Sequence, residues 1–121
     1  MKLKLVQLVQ AEKALAYLGE QKLSPALALK LNRAMRVIRP ELEEYNKVRV
    51  EIFSHHGIQV GDQIQVAPEN IPALNAELLT IDTSEELTLE INPIPYSLVT
   101  CNLSSDDLTT LEWLFDFEYR N

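Results

Sequence analysis

Between residues 31 and 52 the apolar side chains Leu31, Met35, Ile38, Leu42 and Tyr45 fall at steps of four, three, four and three, with Ile52 a heptad beyond Tyr45. That rhythm keeps one stripe on the same side of a helix for many turns and demands a second helix to pack against. Ser24-Pro25 marks the start: serine offers a capping oxygen, and proline at the first helical position lacks only an N–H that would be orphaned anyway. Pro40 lies inside the stripe, where it loses a hydrogen bond and crowds the preceding turn, at a cost of about 3 kcal/mol. A fresh helix could begin at "PELEEYNKVRVEIF". However, Arg39 is a poor N-cap and the heptad passes Pro40 without a slip, so one kinked, continuous helix is expected.

The partner is at hand. Leu8, Ala11, Leu15 and Leu18 recur at spacings of three and four, and Gly19 falls where a turn or C-cap is expected. The two segments make an αα-hairpin. Its second arm outruns the first, so the remainder of the domain, or a second copy docked along the long helix, must cover the far end. That end carries both histidines, His55-His56. Neighbours on a helix point about 100° apart and do not converge on one metal. They are read as imidazoles at the negative end of the helix dipole, with Gly57 as a left-handed cap.

Beyond residue 57 the pattern shortens. "IQVGDQIQV" is a hairpin. A loop of Gly61 to Gln63 pairs Val60 with Ile64 and Ile58 with Val66, whereas a two-residue Gly-Asp loop mixes apolar with polar on each face. The apolar pattern therefore selects the three-residue loop. "PENIPALNAELLTID" gives a short helix, capped by Glu69 or Asn70, with Leu74, Leu78 and Ile81 on one face. In "ELTLEI", Leu87, Leu89 and Ile91 alternate inward against Thr88 and Glu90. Pro93 and Pro95 end that strand, and an extended "NPIPYSLV" cannot pair as a central one. "LSSDDLTTLEWL" starts a last helix, with Ser104 or Ser105 as cap and Asp106 and Asp107 at its positive end.

These elements define the fold class as α+β: a long antiparallel helical hairpin with a small antiparallel sheet and two short helices. A chain of 121 residues makes one domain, residues 1–121. The hairpin subregion, 1–57, holds ten Lys/Arg and six Asp/Glu, a balance of +4. The acidic α+β subregion, 58–121, holds one and twelve, a balance of −11, which together make the −7 of the chain. An acidic total argues against nucleic acid as a partner. No apolar run reaches membrane-spanning length, Gln7, Gln10, Glu12 and Lys13 interrupt any export signal, and a lone Cys101 suits a reducing compartment. A cytoplasmic protein is expected.

Chemistry-bearing motifs are sparse. Three isolated glycines cannot form a phosphate loop, and Cys101 and the histidines sit in no nucleophile signature. No catalytic residue, metal or cofactor is expected. Two features remain as protein-binding candidates. Arg33, Arg36 and Arg39, with Lys30, step by three along the long helix, and Trp113, Phe115, Phe117 and Tyr119 alternate with Leu114, Asp116, Glu118 and Arg120. The alternation suggests a terminal strand. It would either close the sheet over the core, with Tyr119 alone protruding, or form a docking strip.

Taken in order, "ALAYLGEQKLSPALALKLNRAMRVIRPELEEYNKVRVEI", "VAPENIPALNAELL", "LTLEINPIPYSLV" and "LSSDDLTTLEWL" resemble a family of small uncharacterised proteins of tailed bacteriophages. The resemblance covers most of the chain and rests on structural motifs. It implies a non-enzymatic accessory protein with a phage or host protein as partner, in virion assembly or against host machinery, and it carries over no catalytic residue. The alternative is a small enzyme or ligand-binding module with a pocket near His55/His56 or Cys101.

Overall fold

A computed structural model of the chain describes residues 1–117. The order is β1 (Lys2–Lys4), α1 (Leu5–Glu20), α2 (Pro25–His56), β2 (Ile58–Val60), β3 (Gln63–Gln65), α3 (Ile71–Leu78), β4 (Glu86–Thr88), β5 (Ile94–Pro95), α4 (Ser105–Thr110) and β6 (Phe115–Asp116). Single 3-10 turns, Pro68–Asn70 and Tyr96–Leu98, precede α3 and follow β5. The architecture is α+β, with the helical hairpin as its frame.

α2 runs unbroken through Pro40. The proline is exposed, so the carbonyl it fails to serve, that of Arg36, opens to solvent rather than to the core. Ser24 caps the helix, its Oγ accepting from Leu27 N at 3.2 Å. Leu27, Leu31, Ala34, Ile38 and Leu42 meet Leu8, Ala11, Ala14, Leu15 and Leu18 of α1 in one core. Met35 is half-buried at its margin, and Tyr45 is half-buried further along the helix. Gly19 does not end α1 as expected: the helix continues to Glu20 and stops at extended Gln21, whose N–H returns to Leu18 O at 3.2 Å. Nothing approaches within 4 Å of the place a Gly19 Cβ would occupy, so a turn residue is not required there.

The start of the chain is a strand. β1 pairs antiparallel with β4, Leu3 opposite Leu87, and Met1 N donates to Leu89 O while Leu89 N donates to Met1 O, both at 2.8 Å. The N–H groups of Leu5 and Val6, left free at the opening of α1, bond Glu85 O and Thr83 O. Leu89 and Ile91 are buried beyond β4, so the inward alternation holds although pairing stops at Thr88. The last ribbon is parallel: Ile94 pairs with Phe115 and Pro95 with Asp116. Among the described residues the strands therefore come as three two-stranded ribbons, two antiparallel and one parallel, against the helical frame. Ser104 caps α4 by accepting from Asp107 N at 3.0 Å.

The β2–β3 hairpin takes the register that its apolar pattern disfavours. Ile58 lies opposite Gln65 and Val60 opposite Gln63, across a Gly61-Asp62 loop. A buried face would have fixed the other register, but β2 stands in solvent, with Ile58 73% and Val60 49% exposed, and Ile64 of β3 is only half-buried. The turn decides instead: Gly61 at φ +63° supplies the positive φ that a two-residue hairpin loop requires at its first position.

Candidate functional site

Past the end of α1, the last turns of α2 are covered by α3. Ile52 and Leu74, the two buried residues outside the main core among the described residues, belong to these two helices. The junction is polar at its rim. Glu77, on α3, sits between the two histidines that end α2: His55 Nδ1 lies 3.0 Å from Oε1, and His56 Nε2 bonds Oε2. Consecutive residues that diverge by about 100° on one helix are thus gathered by the two oxygens of one carboxylate on another. Asn70 Nδ2 adds a bond to His56 O at 3.4 Å. It does so instead of capping α3, which has no side-chain cap.

The hydrogen bond from His55, then that from His56, hold the Glu77 carboxyl below its ordinary range by favouring the charged acceptor; desolvation opposes them. The arrangement is a clasp between helix ends. Among the described residues no group of three or more His, Cys, Asp or Glu side chains is placed to hold a metal ion. Glu77 was not legible from local spacing, since it lies 21 residues from His56. One signal did exist: Glu77 follows Leu74 by three, which puts a carboxylate beside the packed face of α3, where it wants a partner.

Gly57 closes α2 differently from the expected left-handed cap. Its backbone is extended, at φ −132° and ψ 179°. What requires glycine is proximity: a Cβ would stand 2.6 Å from Ile64 Cγ2 and 2.8 Å from Gln65 O. Removing the side chain lets β3 fold back against the helix end.

The basic series does not form one patch. Steps of three on a helix turn back by about 60° each, so Lys30 and Arg39 end on opposite sides. Lys30 and Arg33 border a small hollow with Glu90 and Asn92. Arg39 borders a larger one, about 510 Å³, between α1 and α2, with Glu12, Met35 and Glu43. Arg36 is exposed between them. Among the described residues the ion pairs are Lys2–Glu86 and the two histidine contacts of Glu77, so none of these four bases has a carboxylate partner.

The aromatic tail turns inward over its described part. Phe115 is 5% exposed, and Trp113 and Phe117 are half-buried against the core. Tyr96 meets Phe115 edge-on at 5.6 Å and Phe117 at 5.0 Å. Trp113 Nε1 is buried without a hydrogen-bond partner. The strand that the alternation suggests is only Phe115–Asp116, because Leu114 and Phe115 are both buried and period two fails between them. Tyr119 lies outside the described residues. Cys101 is a half-buried free thiol against the core, and neither it nor the histidine pair lines the hollow beside Lys30, the one between α1 and α2, or a third beside Glu41 and Glu44.

No protein-family model matches the chain, and no curated protein or solved structure matches it either. Among the described residues no helix is long and apolar enough to cross a membrane.

Proposed function

We propose that the chain is a phage-encoded accessory protein without enzymatic activity that works through protein–protein contacts, in virion assembly or against host machinery. The observation that carries this reading is the end of the molecule formed by the last turns of α2, the β2–β3 hairpin and α3. Val50, Ile58, Val60, Ile71 and Leu79 are all exposed there, Leu79 by 85%. A two-stranded ribbon is marginal by itself and keeps both edges open. Apolar side chains on such a ribbon, and on the helix beside it, suit a surface that a partner covers. The phage source rests on the resemblance of the motif order to small phage proteins.

The test is reciprocal capture between the full chain and the products of genes encoded beside its own, using wild type and a chain carrying Ile58→Glu with Leu79→Glu. The expected result is capture that the double variant loses while its thermal melt stays unchanged. Capture indifferent to both substitutions overturns the assignment of this surface. A second reading, a ligand-binding module, draws on the hollow between α1 and α2, whose volume suits a small molecule. The two separate cleanly: Ala16→Trp, which fills that hollow, leaves partner capture intact if contact is the function.

A further inference from the structure

One side of α2 carries charges that no ion pair among the described residues uses, arranged on either side of Val37, which packs only in part against the core. Ala26, Lys30, Arg33, Val37, Glu41, Glu44 and Val48 succeed one another at steps of four, three, four, four, three and four. At 100° per residue they share an arc of about 80°, beside the stripe that packs on α1. Ala26, Lys30, Arg33, Glu44 and Val48 are exposed, and Val37 and Glu41 are half-buried. Among the described residues none of the four charges is in an ion pair. Lys30, Arg33 and Glu41 also have no opposite charge three or four positions away, and Glu44 has only Lys47.

The pattern is symmetric about Val37. Outward from it in one direction come two bases and then an alanine. At the same steps in the other direction come two acids and then a valine. A helix laid antiparallel against its own copy with Val37 facing Val37 places Lys30 opposite Glu44, Arg33 opposite Glu41 and Ala26 opposite Val48, each twice. An unrelated partner would have no reason to require that symmetry.

We propose that two copies of the chain associate through this face of α2, antiparallel, about a two-fold axis at Val37. The contact is isologous, so it closes at two and leaves no free edge for further growth. Room for it exists at the acidic end: a hollow of about 310 Å³ beside Glu41 and Glu44 has Asp82 and Glu85 on its rim and Leu5 and Tyr45 on its floor. The long stem of an incoming Lys30 covers the apolar floor while its ammonium meets the rim. At the basic end, Glu90 is the one acid that shares the hollow with Lys30 and Arg33, and the approaching Glu44 must outweigh it.

The seam rests on the reading that the chain works by protein contact, but the two fail separately. A monomeric wild type overturns the seam and leaves the Ile58/Leu79 capture test standing. The experiment is light scattering on the full chain at high micromolar concentration and low salt. Wild type is expected at twice the 13.8 kDa chain mass. Lys30→Glu with Arg33→Glu, and separately Glu41→Lys with Glu44→Lys, each set like charge against like and are expected at the mass of one chain. Mixing those two chains restores the double mass, and so does combining all four substitutions in one chain. Circular dichroism confirms that each is folded; should a reversed chain unfold, Lys30→Gln with Arg33→Gln must still lower the dimer fraction. A dimer that ignores both reversals, or reversals that mixing and recombination fail to rescue, overturns the proposal.

Discussion

His56 Nε2 and Glu77 Oε2 form a hydrogen bond that fastens the last residue of α2 to the penultimate residue of α3, and His55 Nδ1 holds the other oxygen of the same carboxylate at 3.0 Å. The charged form of Glu77 is the better acceptor, which is why its carboxyl is held below the ordinary value of 4.5. A group depressed in the folded state contributes stability that is present above the unfolded value and is lost as pH falls through the lower folded one.

Acid should therefore loosen this junction. In a series of melts from pH 6 to pH 2, wild type is expected to lose stability below about pH 4.5 more steeply than Glu77→Gln does, and the difference between the two to shrink toward zero at the acid end. Parallel curves across that range refute the role given to the clasp.

Gly57 and Gly19 should respond oppositely to alanine. At Gly57 the new methyl would collide with Ile64 Cγ2 and Gln65 O, so a loss of about 1–3 kcal/mol is expected. At Gly19 nothing stands within 4 Å and the backbone is helical, so the change is expected to stabilise by up to about 1 kcal/mol. Urea denaturation of both variants reads the sign directly. A neutral Gly57→Ala would mean that the hairpin does not press on the helix end.

Two isoleucines offer a similar contrast. Ile38 is fully buried in the stripe between α1 and α2, and Ile38→Ala should cost about 2–5 kcal/mol. Ile58, 73% exposed on the hairpin, should change stability by about 0.5 kcal/mol or less when cut to alanine. A large loss at Ile58 in dilute solution would show that its side chain is already covered.

The tail should behave as core. Phe115→Ala is expected to cost about 3–5 kcal/mol, and cutting the chain after Leu114 to abolish a cooperative melt, because the cut also removes Phe117 from its contact with Tyr96. Thermal melting followed by circular dichroism decides it. A truncated chain melting near the full-length temperature would return these rings to the role of a docking strip.

What the chain announces in advance is mostly local. Ser24 and Ser104 are readable as caps because a cap is fixed by residues within one turn, and the stripe through Ile38 is readable through Pro40 because its period is uninterrupted. Tertiary partners across long separations are not. β1 alternates over only Lys2, Leu3 and Lys4, too short a run to be read without its partner β4, and β6 runs parallel to β5 through an intervening helix. The hairpin register misleads because the alternation of Ile58, Val60, Ile64 and Val66 implies a buried face that the fold does not provide. The clasp is half visible: the histidines can be placed at the helix end, and their carboxylate cannot.

The reciprocal bonds between Met1 and Leu89 bear on how the chain can be made. Leu3 and Leu8 are synthesised well before most of the residues they pack on, since the core that buries them also contains Leu89, Ile94, Leu111 and Phe115. The helical hairpin is complete once His56 has emerged, but it must wait with its lower face bare for about as many residues again before that core can close. A nascent chain in this condition is a natural client for a holding chaperone, and it exposes apolar surface throughout that interval. Pausing synthesis anywhere between residues 60 and 110 should therefore yield a protease-sensitive intermediate that is already largely helical.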